Sequence, residues 1–181
     1  MSGIVVSKLN IRGSGLVGSL GTDGQHMLSA GAGKTNVFET AAAGGVTPVV
    51  SAYASGNQAV TTGTWTQIVL DTEEVDSDGV FASNTFTAPS DGNYFVSTSL
   101  KYQFQDGQQN NIAIYKEGSS YIERYNVRYD GGIEKVEVLS AIVNLDATEE
   151  IKIYYLHNRG SNNTVYGDSA KATRVDIFKV N

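Results

Sequence analysis

The stretch that decides the fold is GNYFVSTSLKYQF, Gly92 to Phe104. Tyr94, Val96, Thr98, Leu100, Tyr102 and Phe104 take alternate positions, and Phe95, Ser97, Ser99, Lys101 and Gln103 fill the gaps. Strand side chains point to opposite faces with a period of two, so the pattern predicts a long strand with one apolar face. Pro89-Ser90-Asp91-Gly92 stands before it and Gln105-Asp106-Gly107 after it, both turn-forming clusters.

Working outward, similar stretches run Trp65–Leu70, Asn111–Tyr115, Tyr121–Tyr129, Val136–Leu145, Ile151–Leu156 and Thr173–Val180. Between them stand DSDG, KEGSS, YDGG, DATEE and NRGSNN, which punctuate rather than extend. Many short strands at this spacing predict an all-β sandwich or barrel. The composition agrees, with 20 glycines, 10 tyrosines and only 2 prolines in 181 residues. There is no cysteine, so neither a disulfide framework nor a thiolate metal site is available, and folding in a reducing cytoplasm is favoured. The first ten residues, MSGIVVSKLN, hold only three consecutive apolar residues, so no secretory leader is expected. No apolar run approaches the length of a membrane-crossing helix, so no membrane insertion is expected.

Residues 1–46 read differently. Ile4-Val5-Val6 and Leu16-Val17 are short apolar clusters set among glycines, and no period-two strand is predicted there. Such a segment buries too little apolar surface to offset its own ordering entropy. It is expected to be held by another subunit, a larger assembly, or its own domain. Lys8, Arg12 and Lys34 against Asp23 and Glu39 put this segment at +1, leaving −7 on the remainder of a chain whose net charge is −6. An acidic surface repels phosphate, which excludes nucleic acid as an expected partner. Gly31-Ala32-Gly33-Lys34-Thr35 resembles the end of a phosphate-binding loop, but the first glycine of that motif would fall on Leu28. The run after it, NVFETAAAGG, allows at most about two helical turns where the motif needs a full helix. Nucleotide binding is not expected, and QIVLD (Gln67 to Asp71) has no partner loop to serve.

Phe86, five residues, then Gly92-x-Tyr94 resembles the core signature of the C1q/TNF-like jelly roll. YASGNQAVTTGTWTQIVLD is similar to that family's first strands, VLSAIVNLDATEEIKIYYL to its paired late strands and SAKATRVDIFKV to its closing strand. The resemblance covers about residues 50–181 and departs at Val96 and Thr98, where the family usually has aromatics, and at the spacing of Phe81. It implies an all-β jelly-roll sandwich over residues 47–181, carrying an extended glycine-rich N-terminal arm over 1–46. It also implies a homotrimer. The arm sequence GTDGQHMLSAGAGKTNVFET is similar to a linker near the start of many tailed-phage fibre and virion proteins. Together the two resemblances imply a non-enzymatic virion protein made in the host cytoplasm. Its partners would be capsid or tail proteins, bound through residues 1–46, with a host-surface glycan as a further partner. A capsid decoration protein or head fibre and a short tail fibre are both open; a free C1q-like carbohydrate-binding adhesin is the alternative.

No catalytic or cofactor constellation is predicted. His26 and His157 are the only histidines, and both are read as surface residues. Glu149-Glu150 reads as a solvated pair beside a turn. Glu74, Asp76, Asp78 and Gly79 fall at positions 1, 3, 5 and 6 of a calcium loop, but the bidentate position 12 is Thr85, leaving a weak calcium candidate at best. The tyrosines are expected to divide between the core and a subunit interface.

Overall fold

The computed structural model describes residues 10–11, 15–16, 25–28, 37–40, 49–104, 107–127 and 134–180, with side chains from residue 49 onward other than 120, 121 and 124–127. The chain divides into two compact units, Met1–Val46 and Thr47–Asn181. Among the described residues there is no helix.

The first unit holds two small antiparallel pairs. β1 (Asn10–Ile11) pairs with β2 (Gly15–Leu16), and β3 (Gln25–Leu28) pairs with β4 (Val37–Thr40). These strands correct the expectation that residues 1–46 contain none. Backbone pairing needs only extended residues such as Val37, Phe38 and Thr40, not an apolar face. A strand, not a helix, therefore follows Gly31–Thr35, and the loop itself lies outside the described residues.

In the second unit the strands are β5 (Val49–Tyr53), β6 (Gln58–Val60), β7 (Thr66–Gln67), β8 (Thr72–Asp76), β9 (Phe81–Ala82), β10 (Thr85–Thr87), β11 (Gly92–Gln103), β12 (Gln109–Lys116), β13 (Ser119–Val127), β14 (Glu134–Leu145), β15 (Glu150–His157), β16 (Asn163–Val165) and β17 (Arg174–Lys179). Sheet I runs β14-β11-β17-β5-β8, with β16 and β6 continuing along β11 beyond β17. Sheet II runs β13-β12-β15-β10-β9, with β7 also on β15. All pairings are antiparallel.

The alternation read from Gly92–Phe104 is realised in β11. Tyr94, Val96, Leu100 and Tyr102 are fully buried, while the intervening residues are half-exposed. Facing them across the sandwich are Ile112 and Ile114 of β12 and Ile151, Ile153 and Tyr155 of β15. The signature residues meet in this core, where Phe86 lies edge-on to Tyr94 at 5.4 Å between ring centres. The Tyr94 hydroxyl leaves the core to donate to the Ser90 carbonyl at 2.7 Å.

Turn chemistry closes the hairpins. Glu117 and Gly118 both have positive φ, as a two-residue turn between twisted strands requires. Ser83 and Asn84 do the same between β9 and β10, a hairpin the sequence reading missed. Trp65–Leu70, predicted as a strand, pairs with β15 over Thr66–Gln67, and the Ile68 amide still donates to the Ile153 carbonyl at 2.9 Å. Beyond that the amide of Val69 donates to Gln58 Oε1 and that of Leu70 to Asn84 Oδ1, so side chains replace the ladder.

Candidate functional site

Among the described residues eight large apolar side chains stand exposed, and seven lie on one surface. Val49, Val75, Val136, Val138, Ile142, Phe178 and Val180 all point away from the core on sheet I, and only Val69 lies elsewhere. Register aligns part of this set into a row. Ile142 stands opposite Phe95, Phe95 opposite Phe178, and Phe178 opposite Val49, across β14, β11, β17 and β5. The Phe95 and Phe178 rings pack at 5.1 Å. Monomeric proteins scatter single apolar residues over their surface, whereas a contiguous patch marks an interaction site.

Polar groups border the row. The next register line runs Ser140, Ser97, Asp176, Ser51, with Ser97 and Ser140 hydroxyls 2.9 Å apart. Arg174, two residues along β17 from Asp176, donates Nε to Asp176 Oδ2 at 2.9 Å and Nη2 to Oδ1 at 2.6 Å. Nη2 also reaches Ser51 Oγ at 2.8 Å and stands 3.7 Å from Glu74. The bidentate carboxylate raises the Arg174 pKa further above its ordinary value. An apolar centre edged by a fixed ion pair is the anatomy of a protein interface. The sequence reading expected tyrosines there. Tyr94, Tyr102 and Tyr155 lie in the core, the other half of that expectation, and Tyr53 stands opposite Arg174 on the outer side of sheet I, while the row itself is made of aliphatic residues and two phenylalanines.

The calcium candidates lie apart from one another in function. Glu74 is ion-paired with Lys171 and faces Arg174. Asp76 accepts the backbone amides of Val80 at 2.9 Å and Phe81 at 3.0 Å, an arrangement that Gly79, at φ 64°, makes possible by turning the chain. Asp78 is exposed. Among the described residues no three His, Asp or Glu side chains are grouped to hold a metal ion.

His157 is not a surface residue. It is buried, stacked beside Tyr155, with Nε2 3.0 Å from the Val60 carbonyl and Nδ1 accepting the Arg159 amide at 3.3 Å. Those partners select the neutral Nε2–H tautomer, and burial lowers the pKa below the usual histidine value. Its neighbours form a satisfied network. The Tyr155 hydroxyl donates to Asn110 Oδ1 at 2.5 Å and accepts from Asn163 Nδ2 at 2.9 Å, and burial raises its pKa. Both imidazole nitrogens are spent on backbone groups, so His157 is a structural pin. The side chain of His26 lies outside the described residues. Glu149 and Glu150 pair with Lys116 and Lys152 at 2.7 and 2.5 Å, and Lys116 holds the Glu149 pKa below its ordinary value.

The two-sheet arrangement defines an all-β jelly-roll sandwich of the TNF/C1q-like kind. Its similarity to solved structures is one of fold. The chain resembles the Eiger TNF of S. frugiperda with a TM-score of 0.59 at 9% identity, over 75% of this chain and 93% of that one. It resembles the globular domain of zebrafish complement 1qA with a TM-score of 0.54 at 11% identity, over 75% and 98%. Murine APRIL gives 0.55 at 8% identity, over 74% and 99%. No protein-family model matches the chain, and no curated protein matches its sequence.

Proposed function

We propose that the chain is a non-enzymatic structural protein of a tailed-phage particle. It acts as a homotrimer of jelly-roll knobs associated through the outer face of sheet I and attached by residues 1–46. The observation that carries association is the row Ile142, Phe95, Phe178, Val49 on the outer side of one sheet, exposed but for the half-buried Phe95 and edged by the Arg174–Asp176 pair. A second copy is the fitting occupant, because a surface of few charges at its centre suits a permanent partner of the same chain. The virion assignment is supported by the sequence of the arm, GTDGQHMLSAGAGKTNVFET, which is similar to phage virion linkers. A capsid decoration or head-fibre position and a short tail-fibre position are both compatible with this reading. Electron microscopy of particles made from the encoding genome, labelled with an antibody to residues 47–181, decides between them. Label on neither head nor tail overturns the virion reading.

A further inference from the structure

Between β6 and β7 the segment Thr61–Trp65 lies against the end of β15. Thr61, Gly63 and Thr64 are exposed, and Gly63 turns the chain at φ 72°. Apart from a local bond from Thr66 Oγ1 to the Thr64 carbonyl, the segment's hydrogen bonds among the described residues all end on the turn His157–Gly160. The Gly63 amide donates to the His157 carbonyl at 2.7 Å, and the Thr62 hydroxyl reaches the same carbonyl at 3.4 Å. The Gly160 amide donates to Thr62 Oγ1 at 3.1 Å. That turn is itself closed by the His157 side chain. Its Nδ1 accepts the Arg159 amide, while Nε2–H donates to Val60, the residue just before the segment. At the other end Trp65 meets Tyr115 edge-on, with ring centres 5.7 Å apart.

We propose that His157 is an acid-operated latch, whose protonation frees Thr61–Trp65 and lifts Trp65 off Tyr115 while the sandwich stays folded. An imidazolium carries a hydrogen on both nitrogens. Nδ1–H would then face the Arg159 N–H, two donors with no acceptor between them, and the bond that closes the turn would be lost. The Val60 bond survives, so the part that fails is the turn carrying Gly160. Groups around the ring do not offset this. Val60 on β6, Asn110 opposite on β12 and Asn163 on β16 are not ionisable, and the Tyr155 phenol, its pKa raised by burial, stays neutral. The buried Glu137 of β14 puts negative charge on Tyr155, whereas the charge acting on the imidazole is that of Arg159, a cation. Burial holds the His157 pKa below its ordinary value, the Val60 bond opposing and Arg159 adding to it. In the open segment the imidazole regains water and a pKa of about 6.5, so the open form gains on the latched one as pH falls below that value. The sheets do not depend on the latch. β6 stays paired with β16, β7 with β15, and the Ile68 amide with the Ile153 carbonyl. None of these residues belongs to the apolar row of sheet I, so the latch is independent of the trimer reading.

Trp65 is the single tryptophan, so its emission reports directly on the segment. Emission and circular dichroism of the full chain are followed from about pH 8 to about pH 4.5, and the imidazole C–H resonances are read by NMR on the same samples. A red shift of the emission is expected below about pH 6.5, the open-to-latched ratio rising at most tenfold per pH unit as one proton requires, with unchanged circular dichroism. His157→Gln cannot take up the proton and should show no step. His26→Gln should keep the step, and it assigns the His157 resonance, since the chain has two histidines. Should His157→Gln fail to fold, the wild-type resonance decides, because the His157 ring must titrate at the midpoint of the emission step. A flat emission profile overturns the proposal, as does a step that coincides with loss of circular dichroism. So does a step retained in His157→Gln, one lost in His26→Gln, or an emission midpoint apart from that of the His157 ring.

Discussion

Ile142 is 60% exposed and sits at the β14 end of the apolar row, so it gives the cleanest perturbation of the association face. Fully burying an isoleucine stabilises by about 1.5–3 kcal/mol, so covering its exposed part is worth about 1–2 kcal/mol per protomer. Ile142→Ala removes most of that, a factor of roughly 5–20 in the association constant for each protomer. Ile142→Asp adds the cost of desolvating a carboxylate against Phe95 and Phe178, several kcal/mol more, which should abolish the trimer at micromolar concentration. Neither change touches the core, so the monomer should keep its β-rich circular dichroism. Val69→Asp is the control, since Val69 is also exposed but lies off the face. Light scattering reads the result as a drop from three times the 19.3 kDa chain mass to one. A trimer surviving in Ile142→Asp, or dissociating equally in Val69→Asp, refutes the assignment of this face.

Calcium should raise the melting temperature no more than magnesium at equal ionic strength, because Glu74 is held by Lys171 and Asp76 by two backbone amides. A calcium-specific gain of several degrees, lost in Asp76→Asn/Asp78→Asn, would contradict this. Because folding lowers the His157 pKa, the folded chain binds fewer protons than the unfolded one below about pH 6.5. Stability should therefore be fully present above that pH and fall as pH drops through the folded-state value. The loss is about 1.4 kcal/mol for each tenfold difference in proton affinity. Thermal melts from pH 8 to 5 should show that slope in the wild type and a shallower one in His157→Gln; parallel curves would exclude His157 as its source. Deleting residues 1–46 should leave the circular dichroism and oligomeric state of residues 47–181 unchanged while abolishing attachment to the particle; an unfolded product would mean that the arm belongs to the core.

Much of the sandwich was legible because period two is a local signal. β11, β12, β13, β14, β15 and β17 all follow from alternation between turn-forming clusters, and β12 differs from its predicted span by two residues at one end and one at the other. The short strands were not legible. β9 and β10 have two and three residues, too few to show a period, and exist because Ser83 and Asn84 accept positive φ. His157 was misread for a related reason. Nothing local to it announces that Val60, 97 positions away, will offer a carbonyl. The acidic loop was legible only as charge. That Glu74 belongs to a strand beside Lys171 and Arg174 depends on β8 joining the edge of β5.

The proposed association face is written in β14 in a form that a core-seeking reading passes over. Leu139, Val143 and Leu145 give that strand its buried face, but Val136, Val138 and Ile142 occupy the opposite parity. A strand with one wet face should alternate apolar with polar, whereas one covered on both faces reads as a nearly continuous apolar run. β14 carries apolar residues on both of its faces, while only β11 pairs with it among the described strands and only one of its faces meets the core. On β17 Val175 and Ile177 are inside, and Phe178 with Val180 just past the strand stand outside beyond the Arg174–Asp176 pair. An outer face carrying Val136, Val138, Ile142 and Phe178 in a two-layer fold is patterned for a covering partner. On the trimer reading proposed above, that cover is the matching surface of another copy. That reading depends on the number of layers as well as the sequence, which is why it emerges only once the sheets have been assigned.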